Sequence, residues 1–270
     1  MKAKKPFATE ADLCARFIGA IDKGWTAYAE TAGWDILLVR NEDGFQIGIE
    51  AKLKLNLHVI NQALEDSIHW VGHAGPDCRA VLVPDNEAGF EKIAAYIGLT
   101  IIRVRPPYER GVSGPTFTPY LPRIKDGWSH SEWHEWCPTK RHTLPDYVPD
   151  VAAGSSAPIQ LTAWKIAAIK IAVTLEQRGY VTRDDFKAHK IDHRRWLTPN
   201  GWLRNEGGRY VAAAMPDFRA QHPRVFEEVA ADAAKWLPQI TPPLLAPKQA
   251  DAFAHLHDVL RSDENTAQKT

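Results

Sequence analysis

The chain has few cysteines and no excess charge of either sign. Three of its 270 residues are cysteine. Cys14, Cys78 and Cys137 lie far apart and form no CxxC pair, so no disulfide framework is expected. No stretch approaches the ~18 consecutive apolar residues of a membrane span. The basic start MKAKK is not followed by an apolar segment of the secretory kind. These absences point to a reducing cytoplasm, free thiols and no membrane partner. A formal net charge of zero argues against a protein coated in basic surface. No internal repeat is visible.

The overall composition is that of a globular protein, 44% hydrophobic and 24% charged. The length allows one large domain or two smaller ones. Charge is uneven along the chain. Residues 158–215 hold ten Lys/Arg against five Asp/Glu, a local net of +5, whereas residues 1–110, 111–157 and 216–270 each come out slightly negative. A nucleic-acid surface can sit inside a neutral protein in this way.

Thr9 is a candidate N-cap for a helix over about 10–22, with Leu13, Phe17, Ile18 and Ile21 at helical spacing. WDILLVR and FQIGIEAKLKL predict two strands around the turn signal NEDG. NLHVINQALEDSIHWVGHA predicts a helix, CRAVLVPD a buried strand, GFEKIAAYIG a helix and LTIIRVR a last strand before Pro106. The expected order is α-β-β-α-β-α-β, an α/β fold with a mixed central sheet over residues 1–107. Residues 108–157, rich in Pro, Gly, Ser and Trp, read as a connector. Over 158–215 three predicted helices precede two short strands around NEGG. Helices are expected within 216–261, and 262–270 reads as a disordered tail.

Charged groups inside predicted buried strands call for compensation. Asp35 begins the first strand of the hairpin, and Glu50 with Lys52 ends the second. Two registers are possible. A loop centred between Glu42 and Asp43 sets Asp35 opposite Glu50, and an Asp43-Gly44 type I′ turn sets it opposite Lys52. Strict alternation puts all three side chains on one face in both cases. Two carboxylates so placed either share a proton or hold a cation. Mg²⁺ accepts one or two carboxylates with water and phosphate, and the Ala51 carbonyl adds an oxygen. Lys52 would then orient or deprotonate the attacking water, or offset charge on the phosphate. A half-buried salt bridge between Lys52 and one acid is the plainer alternative.

Asp35 followed by Glu50-Ala51-Lys52 on a hairpin, after an N-terminal helix and before one carrying Gln62, resembles the PD-(D/E)xK nuclease superfamily, with its restriction-endonuclease-like fold. The likeness covers about residues 8–107. It implies that Asp35, Glu50 and the Ala51 carbonyl ligate Mg²⁺ or Mn²⁺ and that Lys52 is catalytic. It also implies that Glu10 and Gln62 assist. Trp34 stands where many members carry proline.

RDDFKAHKIDHRRWL carries Arg183, Lys187, Lys190, Arg194 and Arg195, and Arg204 and Arg209 flank NEGG. Such residues suit phosphates and guanine edges. In element order 158–215 resembles a winged helix-turn-helix, implying DNA as partner. Trp164, Trp196 and Trp202 read as core. His130, His134, Cys137 and His142 are acceptable zinc ligands. Their spacing matches no standard finger, so the connector is expected to pack through Trp128, Trp133 and Trp136 instead. His58 and His69 read as ordinary histidines. The resulting expectation is a metal-dependent DNA endonuclease of restriction, phage defence or mobile-element processing. It would act as a homodimer for double-strand cuts or under a regulatory protein partner. A non-catalytic DNA-binding or assembly scaffold is the alternative.

Overall fold

A computed structural model describes residues 6–65, 74–107, 114–124, 132–155 and 160–237. The chain divides into two compact units, residues 1–233 and 234–270. The expected nuclease-like segment, connector and basic segment all fall within the first.

Helix α1 (Glu10–Ile18) starts on a reciprocal cap: the Thr9 hydroxyl accepts from the Asp12 amide while the Asp12 carboxylate accepts from the Thr9 amide. It ends at Gly19, a turn earlier than hydrophobic spacing alone suggests. Strands β1 (Trp25–Thr31), β2 (Trp34–Arg40), β3 (Gln46–Ala51), β4 (Cys78–Pro84), β5 (Leu99–Val104) and β6 (Phe117–Thr118) form one sheet in sequence order. β1 to β3 are antiparallel, β3 to β5 parallel, and β6 antiparallel to β5. Helices α2 (Leu57–Ala63) and α3 (Glu91–Tyr96) make the crossovers. The architecture is thus mixed α/β, as expected, with two strands beyond the expected set. The remainder of the long helix expected after Asn56 falls on residues outside those described.

β1 escaped the sequence pattern for a physical reason. The residues it turns to the core are Trp25, Ala27 and Ala29, and alanine gives a weak strand signal. Its turn into β2 is Ala32-Gly33, with φ of 56° and 85°. A two-residue type I′ turn needs both values positive, but asparagine rather than alanine announces it.

The sheet separates two apolar layers. One packs α1 against Ile36, Leu38, Ile47, Ile49 and Leu82. The other packs α2 and α3 against Trp34, Leu37, Val39, Val81 and Val83. The connector belongs to this body rather than lying outside it. β6 extends the sheet, the Trp133 indole donates to the Tyr120 carbonyl, and the Trp136 indole donates to that of Gly98. The Gln46 side chain both donates to and accepts from the backbone of His142, and the Trp34 indole donates to the His142 ring.

Gly48 is where Trp34 needs room. A Cβ there would lie 2.3 Å from the indole ring. Gly48→Ala is expected to cost about 1–3 kcal/mol by overpacking. Thermal denaturation checks this, and an unchanged midpoint would show that the ring moves aside freely.

Beyond residue 160, α4 (Ala163–Arg178) ends on the left-handed Gly179. It is followed by α5 (Arg183–Ala188) and a single 3₁₀ turn, His193–Trp196, in place of the short helix expected over DHRRWL. The hairpin of β7 (Leu203–Glu206) and β8 (Arg209–Ala212) comes next. Arg178 is ion-paired to the buried Asp185, pinning α4 to α5. Helices α6 (Phe218–Gln221) and α7 (Pro223–Ala231) complete the first unit. The Asp150 carboxylate accepts from the Arg224 and Val225 amides at the start of α7, so the connector's end is tied here too.

Candidate functional site

The β2–β3 register pairs Ile36 with Ile49 and Val39 with Gln46, the first of the two possible registers. Its continuation sets Asp35 opposite Glu50. One carboxylate oxygen of Asp35 accepts from the Ala51 amide at 2.8 Å, so the side chain is folded onto the end of β3. The Lys52 ammonium sits 3.1 Å from the Glu10 carboxylate, joining β3 to the first turn of α1.

Strict alternation does not survive at the strand ends. Trp34 lies with Leu37 and Val39 in the α2 layer rather than with Ile36. Glu50 lines a small cavity of about 70 Å³ with Trp34, Gln62, Glu65, Arg79 and His142. Lys52 reaches Glu10 on α1, while Ala51 belongs to the α1 layer. Gln62 and Glu50 thus line one cavity, Glu10 pairs with Lys52, and Asp35 is held at the strand end by the Ala51 amide.

Glu50 is 6% exposed, and among the described residues its carboxylate has no hydrogen bond or ion pair. Burial and then the charge of Asp35 push its pKa up to about 8. Burial likewise raises Asp35, against the opposing Ala51 hydrogen bond and the charge of Lys52. Burial pulls Lys52 down, but the Glu10 hydrogen bond and the charges of Glu10, Asp35 and Glu50 outweigh it and hold Lys52 above its ordinary value. Lys52 is an ammonium at neutral pH.

One acid was missed in the sequence. Glu30, in β1 with a φ of 48°, accepts from the Gly154 amide at 2.8 Å. Burial raises its pKa, and Asp35 acts on it in the same direction. Gly154 also packs on α1: a Cβ there would lie 3.0 Å from the Cys14 sulfur and 3.3 Å from the Glu10 Cβ. Burial and the surrounding carboxylates, Asp35 foremost, raise the Cys14 thiol far above its ordinary value, so this cysteine is inert.

Among the described residues, no group of three or more His, Cys, Asp or Glu side chains is placed to hold a metal ion. The described histidine and cysteine candidates of the connector, His134, Cys137 and His142, form no such group. His134 packs edge-on against Trp136, His142 bonds Trp34, and Cys137 is exposed. His130, His69 and Trp128 lie outside the described residues.

The basic candidates divide into two sets. Arg194 is held by Asp192 at 2.8 Å, and Arg204 is held by Glu206. Arg209 stacks over Tyr180, with its guanidinium carbon 4.6 Å from the ring centroid. Arg183, Lys187, Lys190 and Arg195 are exposed and, among the described residues, have no acidic partner within 4 Å.

The fold and site define an α/β protein with a cluster of carboxylates around one lysine at the end of a mixed sheet. No family model matches the chain, and neither a curated protein nor a solved structure does. No described helix is long and apolar enough to cross a membrane.

Proposed function

We propose that the protein is a metal-dependent DNA endonuclease of PD-(D/E)xK type, with a winged-helix-like module over residues 158–215 that holds DNA. The observation that carries this reading is Glu50: a buried carboxylate with no hydrogen-bond or ion-pair partner among the described residues, opposite a second carboxylate across the hairpin. An uncompensated buried charge is costly, and a hard cation held by Glu50 and Asp35 would offset that cost. Two carboxylates, the Ala51 carbonyl and water make a donor set that Mg²⁺ or Mn²⁺ accepts without a third acidic side chain.

Such a cation supplies Lewis-acid polarisation of the phosphate and favours ionisation of a water molecule. The chain's own residues do the rest. Asp35 is oriented by the Ala51 amide. Lys52, kept cationic by Glu10, offsets charge developing on the phosphate and orients the water rather than accepting its proton. Gln62, which lines the same cavity as Glu50, would position a ligand of that carboxylate. The experiment is plasmid nicking in Mg²⁺ or Mn²⁺. Absence of nicking by the native chain under all divalent conditions would favour a non-catalytic DNA-binding scaffold.

For the basic module, each unpaired cation removed should weaken duplex binding and lower the slope of log affinity against log salt by about one. Arg183→Ala and Lys187→Ala are expected to do so, whereas Arg194→Ala, already neutralised by Asp192, changes the slope less. Anisotropy over a salt series measures it, and equal slopes for all variants would contradict this surface.

A further inference from the structure

The basic module has an aromatic pocket that phosphate contacts alone leave unused. Trp164, in the first turn of α4, is 46% exposed. Its ring centroid lies 6.3 Å from that of Trp196 and 6.1 Å from that of Trp202. Trp196 is buried and meets Phe186 at 5.1 Å, and the half-buried Trp202 meets Phe218 at 5.7 Å. Trp164 lines an open cavity of about 450 Å³ together with Trp196, Trp202, Lys190, Ile191, Asp192 and Arg195. A cavity of this size is within the range of small-ligand sites.

The rim sets the ligand's charge. Lys190 adopts a left-handed backbone, with a φ of 55°, just past the end of α5. Neither Lys190 nor Arg195 has an acidic partner within 4 Å among the described residues, and the one acid in the lining, Asp192, is taken by Arg194. An exposed indole face flanked by two free cations matches a flat aromatic ring carrying a phosphate.

We infer that this pocket takes an unpaired nucleobase, stacked on Trp164, with its flanking phosphates on Lys190 and Arg195. A base within a duplex has both faces covered by its neighbours and cannot enter. The ligand is therefore a single-stranded end, a loop or an extruded base. The inference rests on the DNA-binding reading and narrows it from DNA in general to DNA with unpaired bases next to duplex.

The test uses the full chain in EDTA, to prevent cleavage, and two fluorescent probes: a short blunt duplex and the same duplex with a single-stranded overhang. The native chain is expected to bind the overhang probe about 5- to 150-fold more tightly, the range base–aromatic stacking supplies. Trp164→Ala should collapse that ratio to about one, and Trp164→Phe should restore most of it. Helical circular dichroism checks that both variants keep the fold. Equal native affinities for the two probes, or a preference that survives Trp164→Ala, would overturn the inference and mean that the pocket only packs or is filled by protein. Binding of neither probe would remove the DNA-binding reading itself, an outcome distinct from blunt-duplex binding without preference.

Discussion

Lys52→Ala is expected to slow plasmid nicking in Mg²⁺ by about 10²–10⁴-fold, the usual worth of a positioned acid–base or charge-stabilising group. The expectation follows from what Lys52 does in the folded chain. Its ammonium is 3.1 Å from Glu10 and feels three carboxylates, so it is charged throughout the neutral range. Its removal takes away the ammonium that interacts with Glu10, Asp35 and Glu50, so binding of Mg²⁺ itself should tighten or hold while turnover collapses. Asp35→Ala should differ in kind, losing nicking and divalent binding together, because that carboxylate is fixed by the Ala51 amide at the end of the hairpin. Equal nicking by native chain, Lys52→Ala and Asp35→Ala would assign the activity to a contaminant or another site.

Glu50→Gln is expected to abolish nicking and, without metal, to stabilise the fold at pH 8. The Glu50 carboxyl has a pKa near 8 in the folded chain against an ordinary 4.5. Between those values the folded state keeps a proton that the unfolded state has released. The stabilisation is therefore complete below about pH 4.5 and lost as pH rises through 8. The difference amounts to at most roughly 5 kcal/mol. Glutamine carries no charge to bury, so the variant should lose that pH dependence. Its melting point at pH 8 in EDTA should exceed that of the native chain by roughly 5–15 °C. Mg²⁺ should raise the native melting point and leave the variant's unchanged, since a ligand stabilises only the state that binds it. A native chain whose stability is flat between pH 5 and 8 would contradict the burial of an ionisable, uncompensated Glu50.

The parts of the fold legible in the sequence are those where burial writes a long pattern. β2 to β5 are continuous apolar runs because the sheet is covered on both faces. β1 was illegible because Ala27 and Ala29 fill its core positions, and β6 because two residues carry no period. The acids and lysine of the hairpin stood out because charge inside apolar strands needs a reason. Glu30 did not: its strand was hidden, and the amide it binds is 124 residues further on. Trp34 looked only like a missing proline. In the structure it braces the site, with Gly48 beneath its ring, the Arg79 guanidinium 5.3 Å from its centroid and its indole hydrogen bonded to His142. One-face placement of Asp35, Glu50 and Lys52 assumed alternation to the last residue, and strand ends do not keep it.

Calorimetric titration of the metal-free chain with Mn²⁺ at pH 8 tests the central claim most directly. The account predicts saturable binding at a site that disappears in both Asp35→Ala and Glu50→Gln and survives in Lys52→Ala. Absence of binding to the native chain, or binding unchanged when either carboxylate is removed, would contradict it.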